Sequence, residues 1–142
     1  MKICLCGSTR FMEQFNAVNQ LLTLQGHIVY SVAYASSQHR NDGISDEQKI
    51  ALDLVHLRKI LESDSVVVVG RQVDGSLYIG ESTRREILWA SLWEKQIHFW
   101  TKEIEASFKQ GSPIDEGIES IKYAQMSSAE RDQWITRKGK KL

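Results

Sequence analysis

The run Val66-Val67-Val68-Val69, bounded by Ser65 and Gly70, constrains this chain more than any other segment. β-branched residues in unbroken succession leave a strand no face to turn toward water, and strands buried on both faces belong to parallel sheets covered by helices. Parallel neighbours need long crossovers, so the rest of the chain must alternate strand and helix. It does. Lys2 to Cys6 reads as a strand running into a tight turn at Gly7. Phe11, Phe15, Val18 and Leu22 recur at helical spacing, and Gly26 supplies the stop. His27 to Val32 reads as a second strand, and Ala35 to Gly43 as a polar surface loop. Ser45 or Asp46 caps a second helix whose apolar positions Ile50, Leu54, Leu57 and Leu61 predict its buried stripe, ending at Glu62 to Asp64. After the valine strand come a loop from Arg71 to Gly80, a third helix opened by Ser82 or Thr83 and running to Glu94, and a strand from Gln96 to Trp100. The alternation implies right-handed crossovers and a doubly wound α/β layer, with any ligand at the carboxyl ends of the strands. Pro113 starts a short helix through Ile121, and Ser127 or Ser128 caps a final one before the basic tail Lys138 to Lys141, which reads as solvated and frayed.

At 142 residues the chain fits a single domain, and its 18 basic and 18 acidic residues cancel. No bulk charge therefore draws it to nucleic acid or an anionic membrane. No apolar run approaches the roughly 20 residues that span a bilayer, and only Lys2 precedes the first strand-like segment, so the expected location is cytoplasmic. Cys4 and Cys6, two apart on a strand, share a face but splay too far for a comfortable disulfide, which fits a reducing compartment. With no CxxC or HExxH spacing, the pair reads as small buried apolar residues, and no metal or cofactor is expected.

Three groups can carry chemistry. The first is Gly7-Ser8-Thr9-Arg10, where a strand end meets a helix start. Gly7 permits close backbone approach, the helix offers free N–H groups, and the hydroxyls and guanidinium add donors for an anion such as phosphate. It is neither a Walker A loop nor a GxGxxG fingerprint, and simple capping by Ser8 or Thr9 explains it equally well. The second is the segment Tyr78 to Glu86 after the valine strand. Glu86 falls one turn into a helix, where its carboxylate can face the same crevice as a nucleophile, with Ser82 and Thr83 at the helix start. The bland alternative is a first-turn acid favoured by the helix dipole or paired with Arg85. The third is Asp53 with His56, one helical turn apart at the border of the predicted stripe, where His56 can exchange a proton near neutrality; a surface pair is the alternative. Asp74 lies in a loop on the site's side, whereas Asp64, at the opposite end of its strand, reads as structural. Trp89, Trp93, Phe99 and Trp100 read as core or subunit interface rather than a base-stacking platform.

Together these pieces resemble the nucleoside 2-deoxyribosyltransferase superfamily, which includes the 2′-deoxynucleoside 5′-monophosphate N-glycosidases. The resemblance spans Lys2 to Trp100 and rests on Cys6-Gly7-Ser8-x-Arg10, on Ser63-Asp64 before the valines, and on Glu86-Ile87 followed by Ala90. The chain looks especially like an uncharacterised bacterial and phage branch bearing a YIGESTxxEI segment, here Tyr78 to Ile87. The resemblance implies a flavodoxin-like sheet over residues 1–100, with residues 101–142 as a helical extension of the same domain. It implies cleavage of the N-glycosidic bond of a (deoxy)nucleoside 5′-monophosphate, with Glu86 attacking the anomeric carbon and a glycosyl-enzyme intermediate passing to water or another base. His56 and Asp53 would assist, and Ser8 and Arg10 would hold the 5′-phosphate with Thr9, Ser82 and Thr83 nearby. A homodimer or larger homo-oligomer is implied as well. Three departures stand out. His56 occupies the place of the family's assisting helix acid, Gly80 that of an aspartate or serine near the substrate, and Cys4 that of a tyrosine for which Tyr78 or Tyr34 would substitute. The departures leave a second reading, a catalytically inactive nucleotide-binding module of the same fold.

Overall fold

The computed structural model describes residues 1–33, 44–73, 76–102, 105 and 127–139. Its centre is a four-stranded, wholly parallel sheet of β1 (Lys2–Cys6), β2 (Ile28–Tyr30), β3 (Ser65–Val68) and β6 (Gln96–Phe99), in the order β2-β1-β3-β6. This is the flavodoxin-like order of a doubly wound α/β fold. A small antiparallel hairpin, β4 (Gln72–Val73) and β5 (Ser76–Leu77), occupies the segment expected to be a plain loop. Second-strand pairing covers only Ile28–Tyr30 of the expected His27 to Val32, because β2 is an edge with β1 as its partner on one side.

Side-chain alternation along β1 and β3 divides the core in two. Ile3, Leu5, Val67 and Val69 face α1 (Met12–Leu24), where they bury Phe15, Val18 and Leu22. Cys4, Cys6, Val66 and Val68 face the other side, toward Ile60 of α2 (Asp46–Glu62) and Ala90 of α3 (Glu81–Leu92). The valine strand is thus fully buried on both faces, as its composition demands.

The helix ends follow local chemistry. Gly26, at φ +84°, closes α1 with the N–H of His27 on the Leu22 carbonyl and that of Gly26 on Thr23, the Schellman arrangement. Ser45 caps α2 in a reciprocal capping box with Gln48. Lys95 Nζ reaches the Leu61 and Ser63 carbonyls at the far end, placing a cation where the helix dipole is negative. Asp64 accepts the Lys2 N–H at 2.7 Å and donates its own to the Lys2 carbonyl, the structural role expected of it.

Three expectations need correction. Ile50 and Leu54 do not lie in the buried stripe of α2; both are more than half exposed, Leu57 and Leu61 are half-buried, and the inward row is His56 and Ile60. The sheet presents a surface that takes this adjacent row, so the apolar count misplaced the face. α3 opens at Glu81 with Gly80 as its N-cap, which places Ser82 and Thr83 inside the first turn rather than at the cap. It also ends at Leu92 rather than Glu94, since Glu94 adopts φ +55° and leaves the helix. At the other end of the chain, α4 (Ser128–Gly139) starts after Ser127, whose hydroxyl and backbone N–H exchange hydrogen bonds with Glu130. α4 runs through Lys138, which the sequence assigned to a frayed tail. The helix expected from Pro113 to Ile121 lies outside the described residues.

Candidate functional site

A cleft of about 950 Å3 lies beyond the carboxyl ends of β1 and β3. The strand order reverses between these two strands, which is where open α/β sheets bind ligands. Both loops singled out by sequence line it, with α2 forming a third wall.

Gly7 turns the chain from β1 into the first wall at φ +154°, and a Cβ there would meet the Val69 carbonyl oxygen at 2.0 Å. Only glycine fits that approach. Ser8 follows as N-cap of a short 3-10 turn (Thr9–Phe11), its hydroxyl accepting the Arg10 N–H at 3.4 Å. Ser8 thus caps the turn, and Ser8, Thr9 and Arg10 all line the cleft. Arg10 is exposed, with its guanidinium 5.7 Å from the centre of the Tyr78 ring. Tyr78 also packs edge-on against Phe11. Those two rings and the cation tie the β1 loop to the Tyr78 to Glu86 segment across the cleft mouth.

Glu86 sits where the inward face of α3 requires a buried residue. Thr83, Glu86 and Ala90 repeat at three- and four-residue intervals, and Thr83 and Ala90 are buried. The glutamate side chain is 17 % exposed, and its Oε2 is shut away from solvent with no hydrogen-bond partner. Its Oε1 lies 3.9 Å from His56 Nε2. Arg85, the alternative partner, binds Glu81 at 2.7 Å on the outer face.

His56 comes from the corrected inward row of α2, one turn before Ile60. Its Nε2 lies 3.8 Å from Cys4 Sγ and 3.6 Å from Cys6 Sγ, both fully buried and unoxidised. Cys4, Cys6 and His56 hold their ligand-capable atoms within 4.8 Å of one another and are a candidate soft-metal cluster. Asp53, by contrast, is at the rim, bound to Lys49 at 3.0 Å, and both side chains are largely exposed. The sequence pairing of Asp53 with His56 thus resolves into one buried group and one surface group. Ser82 is exposed and Thr83 buried, and both line the cleft. Asp74 and Tyr34 lie outside the described residues. Of the aromatic group, Trp89 is half-buried, giving its indole N–H to the Leu57 carbonyl at 3.2 Å, and Trp100 packs on the α1-side core; Trp93 and Phe99 are exposed.

Burial raises the Glu86 carboxyl to about 7, with the Cys4 and Asp53 charges adding to the rise and His56 and a Cys6 hydrogen bond opposing it. Burial disfavours the charged form of His56, yet the hydrogen bond and charge of Cys4, with Glu86, outweigh it and push the imidazole up. Cys4 is pulled down to about 6, chiefly by the Cys6 hydrogen bond and then, against burial, by His56. Cys6 is pushed up, first by its hydrogen bond to Cys4 and then by burial and the charges of Cys4 and Glu86. Four titratable groups thus share one buried space, among them a carboxyl raised to about 7 and an imidazole pushed above its ordinary value.

Sequence reasoning missed the two thiols as part of this assembly. Their signal was present in the alternation itself. Residues two apart on a strand share a face, and the face opposite Ile3 and Leu5 is the one α2 and α3 cover.

Neither a family model nor a curated protein sequence matches the chain. Among solved structures, a 2-deoxyribosyltransferase from the psychrotolerant bacterium Bacillus psychrosaccharolyticus, described as a biocatalyst for the synthesis of nucleosides, is similar in fold. The TM-score is 0.52 at 21% identity, covering 70% of this chain and 71% of that one.

Proposed function

We propose that this chain cleaves the N-glycosidic bond of a (deoxy)nucleoside 5′-monophosphate, with Glu86 as nucleophile and water or a second base as acceptor. One observation carries the reading. A carboxylate at the floor of a switch-point cleft is buried, has an unpartnered oxygen, and lies 3.9 Å from an imidazole. A structural acid in the first turns of a helix would instead be exposed or capped, as Glu81 and Glu130 are. The fold shared with a 2-deoxyribosyltransferase supports glycosyl transfer as the reaction class.

In this reading the deprotonated Glu86 attacks the anomeric carbon as the base departs, forming a glycosyl ester that the acceptor then resolves. Burial keeps the carboxylate poorly solvated and so a better nucleophile. His56 holds the ionised form in place and exchanges a proton with the base or the incoming acceptor. Asp53, at the rim, contributes long-range charge. The β1 loop receives the phosphate: Ser8 and Thr9 offer hydroxyls and N–H groups, Arg10 the cation, and Ser82 and Thr83 the opposite wall. No membrane enters the scheme, and no helix among the described residues is long and apolar enough to cross one. A second copy of the chain is a further part of the proposal, because Ile50 and Leu54 of α2 and Leu88 and Leu92 of α3 are all more than half exposed.

The test is to incubate the protein and its Glu86→Ala variant with a panel of nucleoside 5′-monophosphates and the matching nucleosides, following free base by chromatography. Base release that needs Glu86 and favours the monophosphates upholds the reading. No release from any substrate, with monophosphate still raising Tm, moves the assignment to a nucleotide-binding module.

A further inference from the structure

We propose that Cys4, Cys6, His56 and Glu86 form a binding site for a single soft divalent cation of the zinc class, which closes over the carboxylate when it binds. Neither the fold nor the glycosidic reaction calls for thiols here. Strand alternation puts both sulfurs on one face of β1, and α2 covers them there with an imidazole rather than an apolar side chain. They lie 3.8 Å and 3.6 Å from His56 Nε2, with Glu86 Oε1 at 3.9 Å from that same atom.

Those separations fit one ion. Zinc binds sulfur at about 2.3 Å and imidazole nitrogen at about 2.0–2.1 Å in tetrahedral sites, so nitrogen–sulfur edges come to about 3.5 Å and nitrogen–oxygen edges to about 3.3 Å. The sulfur spacings need to contract by about 0.1–0.3 Å and the oxygen spacing by about 0.6 Å. The donor set is two thiolates, an imidazole and a carboxylate, a combination that selects zinc-class ions over magnesium or calcium. The supports are rigid: β1 lies inside the sheet with a partner on each side and supplies both sulfurs, while α2 and α3 each supply one ligand from faces packed on it. Glu86 Oε2, enclosed and without a hydrogen-bond partner, is a further acceptor free to join. His56 and Glu86 line the cleft, so an ion reaches the sulfurs past them.

The site's existence stands apart from the proposed reaction, but its consequence rests on that reading. A cation held by Glu86 removes the nucleophile, so the metal-bound protein would be inactive and a chelator would restore it.

The experiment is to titrate the chelator-stripped full chain with Co2+ as a spectroscopic probe. Expected are a thiolate-to-cobalt charge-transfer band saturating at one equivalent, tetrahedral d–d absorption, and displacement of both by Zn2+ but not by Mg2+. Cys4→Ala and Cys6→Ala should each lower the band's intensity by about half and weaken binding by at least about tenfold, whereas Glu86→Gln should keep the band. Thermal unfolding reports whether the variants fold, and should either cysteine variant fail, Zn2+ protection of the wild-type thiols from alkylation takes its place. Absence of the charge-transfer band, affinity unchanged in the cysteine variants, or thiols that alkylate equally fast with and without Zn2+ overturns the site. Base release measured with Zn2+ and with chelator separates the two proposals. Silence under both conditions sinks the glycosidase reading and leaves the cobalt spectrum to decide the metal.

Discussion

His56 Nε2 lies 3.9 Å from Glu86 Oε1, and the imidazole comes from a face of α2 that the apolar pattern assigned to other residues. A weak acid and a weak base are thereby enclosed in one pocket, each shifted by burial and by the other's charge. The pH behaviour of the protein follows from that pair.

Activity should rise with pH through neutrality. Attack needs the carboxylate, and the Glu86 carboxyl is raised to about 7, so most of it is protonated at pH 6. Below that midpoint kcat/KM should fall about tenfold per pH unit on its acid limb. A phosphorylated substrate has its own ionisation near pH 6, so the profile should be measured on a nucleoside as well as its monophosphate. An acid limb common to both, and lost in Glu86→Gln together with the activity, is the expected result, and a flat nucleoside profile between pH 5 and 8 refutes the assignment of Glu86 as nucleophile.

The contribution of Glu86 to stability should move the opposite way across the same window. A carboxyl raised in the folded state above its ordinary 4.5 binds more protons folded than unfolded. Its stabilising contribution is therefore complete below pH 4.5 and is lost as pH rises through about 7. The span corresponds to on the order of 3 kcal/mol. Glu86→Gln, which keeps the shape of the protonated acid, should be more stable than wild type at pH 8 by an appreciable part of that amount and equal to it near pH 4.5. Denaturant melts at both pH values check this; an equal difference at both shows that the carboxyl does not titrate between them.

The sequence exposed some of this architecture and hid some of it. The valine strand and the Phe15, Val18, Leu22 face of α1 were legible because each is buried against the sheet, so hydrophobicity and geometry agree. In α2 they diverge. Ile50 and Leu54 are apolar yet face outward, and the row that touches the sheet carries His56, which a hydrophobic count discards. Glu86 was legible as a candidate from its place one turn into α3, but its burial was not, since that depends on what α2 packs beside it. The convergence of both cysteines on His56 was hidden for the same reason. It joins residues about fifty positions apart, and local spacing carries no information about which helix covers which strand face.

Arg10 should act on binding and not on chemistry. Arg10 lines the cleft and its guanidinium lies over the Tyr78 ring, whereas the polar neighbour of Glu86 is His56. Arg10→Ala should raise KM for monophosphates by about 10- to 100-fold, the range of one charge-assisted hydrogen bond of about 1.5–3 kcal/mol, with kcat nearly unchanged. For nucleosides, which bring no phosphate, both constants should be unaffected. A loss of equal size for nucleosides would show that Arg10 shapes the cleft rather than reading the phosphate.

The C-terminus of α3 offers a test of the fold that leaves the site alone. The N–H of Lys95 bonds the Ala90 carbonyl at 2.9 Å and that of Glu94 bonds Ser91 at 3.0 Å, the same closure that Gly26 provides for α1. Here the left-handed position is held by Glu94 at φ +55°, where a Cβ crowds the following carbonyl. Glu94 is exposed, so its side chain supplies little that the substitution would forfeit. Against the relief of strain stands the greater freedom of glycine in the unfolded chain. The strain term is the larger, so Glu94→Gly should stabilise the protein by about 0.5–1 kcal/mol, read as a higher denaturant midpoint with unchanged m. Glu94→Ala, which keeps the Cβ, should give no such gain. Equal effects from the two variants would place the change in the lost carboxylate rather than in the backbone.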